Sequence, residues 1–362
     1  MQLSVKSSIQ AFLKKFFSNL NPVVAIDLGS QRVRIWSDGK ILDEPSVVAV
    51  DTRKGVVVAV GEAALEISQR LAPRVKMIHP VQGGEIVDPE MTRELLKTLT
   101  AKILPQQFFS PTVVVGIGAA ATPSQIELLT DLLYRLGAKE VIGVAKPLAA
   151  AIGAGVPVAD SSGGLVAVIG AGVVEAAVVA LGSMVTSITK INTLTNLAQE
   201  IVVQLASSKA VTISQEAAEK LVSNLAEIPA AAGRQAGNQT SGQINACLIM
   251  GKSVQTGAPE EFRVLASDLT PALKPWLAKV EQVLMELLQA LPPELMTDVV
   301  TKGLLLTGGV ARLAGLDEYL VKKLGIPVAL VDEPELAVIK GLKMVSQNLT
   351  LYKQSLAYEV QD

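Results

Sequence analysis

LVAVIGAGVVEAAVVALGSMV, residues 165–185, is apolar almost throughout and carries one charge, Glu175. Its length would suit a membrane-spanning helix. The Gly170-Ala171-Gly172 interruption, the Val and Ile enrichment and the flanking Gly163-Gly164 and Gly182-Ser183 instead predict two buried strands joined by a tight turn. The same grammar recurs in Val23–Ser37, VVAIDLGSQRVRIWS, where an apolar strand runs into a glycine-containing turn and a second strand. Two such hairpins about 140 residues apart predict a duplicated architecture in which paired turns can face each other across a cleft.

Composition agrees with that outline. A chain of 362 residues can bury two sizeable cores. Apolar residues make up 49% and aromatics only 3%, so the cores must be built from Val, Leu, Ile and Ala, which suits α/β packing. With 32 basic against 34 acidic residues there is no overall field to attract nucleic acid. Cys247 and His79 are the sole residues of their kinds, which excludes a disulfide and a Cys/His zinc set and reads as a reduced, cytosolic protein. A packed thiol and a surface or hydrogen-bonded imidazole are the expected states of the two.

Working outward from the hairpins, residues 2–20 form a separate unit. Val5, Ile9, Phe12, Leu13, Phe16, Phe17 and Leu20 recur at helical spacing, and Asn21-Pro22 ends the helix. Lys14 and Lys15 split the apolar residues, which is not the layout of a signal peptide. The helix either docks on the protein's own body or lies on a membrane surface; aromatic bulk flanked by lysines favours an interfacial helix on anionic lipid. Phe108-Phe109, penned between Pro105 and Pro111, either caps a local core or forms an exposed apolar finger.

Between these landmarks the pattern predicts a β-hairpin around the polar loop Asp51–Gly55, helices over 62–70 and 89–104, and a loop holding His79-Pro80 and Gly83-Gly84. A strand over 112–117 leads to Thr122-Pro123-Ser124-Gln125, which has capping-box spacing with Pro at the first helical position. A strand at 141–144 and a small-residue helix, Lys146–Gly153, close the first half. The second half is expected to hold helices over 196–207, 214–225 and 271–290, a loop over 229–242 and a strand near 244–250. Pro292-Pro293 should break the chain before a strand at 303–307, a Gly308-Gly309 turn, a helix at 316–324, a strand at 328–331 and a last helix at 335–348.

Taken in order, these pieces resemble the MreB branch of the actin, hexokinase and heat-shock ATPase fold. The resemblance rests on Ala25–Gly29 (AIDLG), Glu44–Asp51 with Ala59-Val60-Gly61, Ala149–Gly155 with Pro157-Val158, Leu291–Leu295, Leu306–Gly309 and Gly315–Asp317. It implies a duplicated actin-like (ribonuclease H-like) α/β fold: a membrane helix at 1–22, domain I at 23–154 with the return of 330–350, domain II at 155–329 and a tail at 351–362. It also implies ATP with Mg²⁺ as cofactor, held by Asp27, Gly29, Ser30, Arg32, Gly170, Gly172, Gly308 and Gly309, with Asp27 on the metal side. The N-terminal helix and Phe108-Phe109 fall where the family meets the membrane.

The departures fall on the chemistry. The family's second turn, Asp-x-Gly-Gly-Gly-Thr-Thr-Glu, reads Val168-Ile-Gly-Ala-Gly-Val-Val-Glu175, without the metal-side carboxylate or the hydroxyls. The Glu-Glu-Pro that positions the attacking water reads Ala145-Lys146-Pro147. On the adenosine side, Leu194-Thr195 and Val222–Ala226 replace the family's polar segments. Phosphoryl transfer depends on a metal and positioned charge, so hydrolysis should be weak or absent, while nucleotide binding stays open because the turn amides and Asp27 survive. The expectation is a filament-forming, actin-like cytoskeletal protein at the inner face of the cell membrane, with itself, anionic lipid and cell-wall or envelope proteins as partners. An active polymerising ATPase and a scaffold adaptor of the PilM or FtsA kind are the alternatives.

Overall fold

The computed structural model describes residues 22–71, 74–104, 110–225 and 246–353. The chain divides into two compact units, one formed up to Val158 and again from Ala337 onward, the other by Ala159–Leu336. The residues assigned to membrane contact, Val5, Ile9, Phe12, Leu13, Phe16, Phe17, Leu20, Phe108 and Phe109, lie outside the described residues, as does the loop expected at 229–242.

The first unit opens with an antiparallel meander of β1 (Val23–Leu28), β2 (Arg32–Ser37) and β3 (Lys40–Pro45). A small sheet follows, built from β4 (Val48–Asp51), β5 (Val57–Val60) and β6 (Val75–Ile78), with α1 (Glu62–Leu71) before β6. A short ribbon of β7 (Val81–Gln82) and β8 (Glu85–Ile86) occupies the segment expected to be loop, and exposed His79 stands between β6 and β7. Next come α2 (Pro89–Ile103), β9 (Thr112–Ile117), α3 (Pro123–Arg135), β10 (Glu140–Ala145) and α4 (Lys146–Gly153). The predicted capping box closes as expected, with Thr122 N–H donating to Gln125 Oε1 at 2.8 Å and Gln125 N–H to Thr122 Oγ1 at 3.3 Å. β9 pairs in parallel with both β1 and β10, giving the order β10-β9-β1-β2-β3.

The second unit repeats this plan. Its meander is β11 (Gly164–Ile169), β12 (Val173–Ala180) and β13 (Ser183–Ile191). Residues 165–185 are therefore strand and turn, and among the described residues no helix is long and apolar enough to cross a membrane. After α5 (Leu194–Lys209), β14 (Val211–Thr212) and α6 (Gln215–Leu225), β15 (Ala246–Ser253) and β16 (Pro259–Leu265) pair into a second small sheet with β14. Cys247 on β15 is half-buried and packs against the core of this unit. Then come α7 (Ala266–Gln289), α8 (Pro293–Lys302), β17 (Leu304–Thr307), a 3-10 turn (Gly309–Arg312), α9 (Leu316–Leu324) and β18 (Val328–Leu330). The main sheet runs β13-β12-β11-β17-β18, with β17 parallel to β11 and to β18. Each unit thus carries a five-stranded sheet of the same connectivity, three antiparallel strands followed by two parallel ones, which is the duplication read from the two hairpins.

Three expectations need correction. The meander in the second unit has a third strand, β13, where only a hairpin was expected. α7 starts at Ala266 rather than at Pro271: the Asp268 carboxylate accepts the Leu265 N–H at 2.8 Å at the helix start, and buried Leu269, Leu273, Trp276, Val280 and Val283 carry the helix through Pro271 and Pro275. Pro292-Pro293 ends one helix but also starts another, because Pro293 is the first residue of α8, where a missing N–H costs nothing.

The chain returns to the first unit through α10 (Ala337–Gln347) and α11 (Leu349–Lys353). α10 lies against α4, whose Ala149, Ala150 and Ala151 are fully buried, as the small-residue pattern predicted. A Cβ placed on Gly341 would overlap the Ala149 carbonyl oxygen, and one on Gly153 would overlap the Ala337 carbonyl oxygen.

Candidate functional site

The two hairpin turns close in the same way. The Gly29 N–H donates to the Arg32 carbonyl at 3.0 Å, and the Gly170 N–H donates to the Val173 carbonyl at 2.9 Å. A Cβ on Gly29 would stand 2.7 Å from that acceptor oxygen, so the first turn calls for glycine, while one on Gly170 would make a tighter than usual contact of 3.2 Å with its own.

In the first unit the β1–β2 turn is held from outside by the Gly84 N–H, which donates to Ser30 Oγ at 3.1 Å, and by the Ser46 N–H, which donates to the Gln31 carbonyl at 2.8 Å. Asp27 sits at the end of β1 and is only 6% exposed. Its Oδ1 lies 3.2 Å from Lys146 Nζ, and its Oδ2 lies 3.9 Å from Arg34 Nη1. The Lys146 ammonium also donates to the Leu28 carbonyl at 2.8 Å. On β3, Asp43 receives Arg34 Nε at 3.2 Å and Arg32 Nε at 2.6 Å. The result is a continuous run of alternating charges, Arg32, Asp43, Arg34, Asp27 and Lys146, with three cations to two carboxylates. Arg32, which the resemblance sets either against a phosphate or in a phosphate's place, gives its guanidinium to Asp43.

Glu44 stands beside this run. Burial pulls its carboxyl upward, but the Glu62 N–H at 2.8 Å and the Lys102 ammonium at 2.7 Å outweigh that and hold it below the ordinary carboxylate value.

In the second unit the structure brings the second turn and the Gly308-Gly309 loop together. Val168 on β11 faces Thr307 on β17 in the parallel register, and Thr307 Oγ1 donates to the Ala167 carbonyl at 2.9 Å. Gly308 lies at φ 90°, and a Cβ there would overlap the Ile169 carbonyl. The carbonyls of Ala171 and Gly172 accept the Leu194 and Asn192 N–H groups at 2.7 and 3.2 Å, tying the turn to the start of α5. Val168, Leu194 and Val222, which stand at the metal-side and adenosine-side positions of the resemblance, are all buried apolar side chains, 6%, 7% and 5% exposed.

Among the described residues no three His, Cys, Asp or Glu side chains gather as a metal set. Asp27, a lone carboxylate already faced by two cations, does not fit a divalent ion. Sequence reasoning missed Lys146, Arg34 and Asp43. The signal for two of them was the Asp38-Gly39 turn between β2 and β3, at φ 45° and 82°, whose tight hairpin sets Arg34 opposite Asp43.

A family profile described as MreB/Mbl protein matches residues 21–354. The cell shape-determining protein Mbl of Bacillus cereus is 31% identical over 330 residues, which cover 90% of this chain and 96% of that protein. The cell shape-determining protein MreB of Escherichia coli K12 is 30% identical over 338 residues, 91% and 94% of the two chains. Among solved structures, MreB5 of Spiroplasma citri bound to AMPPNP matches with a TM-score of 0.84 at 23% identity, over 92% of this chain and 98% of that one. The MamK double helical filament matches with a TM-score of 0.75 at 18% identity, over 90% and 99%. With the same plan in both units and a family match over nearly its whole length, the chain belongs to the MreB/Mbl family of actin-like proteins.

Proposed function

We propose that this chain is a membrane-associated cytoskeletal protein that assembles into filaments contributing to cell shape or envelope organisation, and that it hydrolyses ATP weakly or not at all. The observation that carries the cytoskeletal reading is the family match over residues 21–354. Relatives named for cell-shape determination and a structural neighbour solved as a filament support it. Assembly of this kind sets different surfaces of successive subunits against each other, a heterologous contact that propagates instead of closing. Residues 1–22 are the proposed membrane helix, and the location is the inner face of the cell membrane. Electron microscopy of the purified protein on anionic bilayers should show protofilaments; their absence across a wide concentration range would favour a scaffold adaptor.

Spiroplasma MreB5 was solved with AMPPNP and with ADP, which supports nucleotide binding on Gly29, Ser30, Gly170, Gly172, Gly308 and Gly309 here. Turnover is a separate matter. Ala145-Lys146 stand where the resemblance places the pair that supplies the water-positioning carboxylate, and Val168 where it places a metal-side one. Loss of general-base help alone lowers rates by roughly 10² to 10⁴-fold. Phosphate release should therefore sit at background beside an active MreB under matched conditions. Comparable release that disappears in Asp27→Ala would overturn this.

A further inference from the structure

The Lys146 ammonium meets Asp27 and the Leu28 carbonyl together, at 3.2 and 2.8 Å, and both charged side chains are largely buried, 14% and 9% exposed. Room for the lysine is built into the sheet beneath it. Gly116 on β9 presents no side chain, and a Cβ there would stand 3.3 Å from Lys146 Cγ and 3.5 Å from Lys146 Cε. The stem thus crosses the Gly116 backbone to reach Asp27. Behind Asp27, Arg34 is clamped by Asp43 at 3.2 Å and is itself only 11% exposed.

We infer that this chain carries its counter-cation covalently: Lys146 supplies at Asp27 the positive charge that a divalent ion would otherwise bring, and it pins the β1–β2 turn through the Leu28 carbonyl. A divalent ion approaching Asp27 would meet two positive side chains within about 4 Å of the carboxylate and would have to displace the ammonium from both acceptors. The site therefore takes an anionic ligand without a metal. This rests on reading the β1–β2 turn as an anion-binding turn. The metal-binding half of the claim is measured with no nucleotide present, so its failure is distinguishable from failure of that reading.

The probe is Mn²⁺, followed by loss of its free paramagnetic signal on addition of full-length protein. Wild type should show no stoichiometric Mn²⁺ site that depends on Asp27. Lys146→Glu, which sets two carboxylates face to face, should gain one site at least about tenfold tighter than any in wild type, together with a Mn²⁺-dependent rise in Tm. Asp27→Asn in that background should remove both gains. If Lys146→Glu does not fold, the thermal series decides: Lys146→Met should lower Tm by roughly 5 °C and Lys146→Arg should recover part of it. Stoichiometric Mn²⁺ binding by wild type that is lost in Asp27→Asn, or a Lys146→Met protein with unchanged Tm, overturns the inference.

Discussion

Gly341→Leu should leave no folded protein to assay, and Gly341→Ala should already lower stability by about 3 kcal/mol, the upper end of the usual cost of overpacking. The obstacle is backbone: the Ala149 carbonyl oxygen occupies the place of the new Cβ, and the Ala337 carbonyl blocks Gly153 in the reciprocal sense. Neither helix can retreat freely. α10 carries Ile339, Leu342 and Val345 into the core with no exposed surface, and it also touches β1 and β9. A loss of that size corresponds to a fall in Tm of roughly 6 to 12 °C for a unit of this length. Met344, 40% exposed on the same helix, provides the control, since Met344→Ala should stay within about 0.5 kcal/mol. A Gly341→Ala protein with an unchanged unfolding midpoint would mean that the two helices part at little cost.

The second large effect belongs to the membrane reading. Deleting residues 1–20 should reduce co-sedimentation with anionic vesicles by roughly 10² to 10⁴-fold, the gain that multivalent contact adds over a single weak site. One amphipathic helix binds reversibly; a filament holds many copies on one rigid strand, so every contact after the first is intramolecular. Phe108→Ser with Phe109→Ser should weaken binding further without altering the fold. Added salt should weaken it without abolishing it, because lysine attraction is screened and aromatic burial is not. Equal pelleting of the truncated and intact proteins would sink this reading.

Much of the architecture was legible because glycine and β-branched residues speak through local sterics. The Gly29 and Gly170 turns, the Thr122 capping box and the small-residue helix α4 all stand where the pattern puts them. The Leu181-Gly182 turn, at φ 51° and 76°, was signalled by its glycine, but β13 beyond it was hidden because SMVTSITKI is a half-exposed edge strand that mixes polar with apolar residues. α8 was hidden because proline was read as a stop, when at a first helical position it is a start. At the candidate site, sequence reported that Val168 and Ala145-Lys146 replace carboxylates but not that the Lys146 ammonium settles on Asp27. Lys146 reaches Asp27 only because β9 and β1 lie side by side, with Gly116 leaving a gap, and that neighbourhood is set by topology.

The discontinuity of the first unit has a consequence in time. Its sheet is complete once β10 has been made, but α10, which covers β1 and β9, is encoded after the whole of Ala159–Leu336. At about 5 to 20 residues per second, the nascent first unit waits roughly 10 to 40 s for its last helix, while the second unit emerges as one uninterrupted stretch. On the ribosome the second unit can therefore finish before the first. For that interval Ala149–Ile152 on α4, buried in the finished protein, wait without the helix that packs against them.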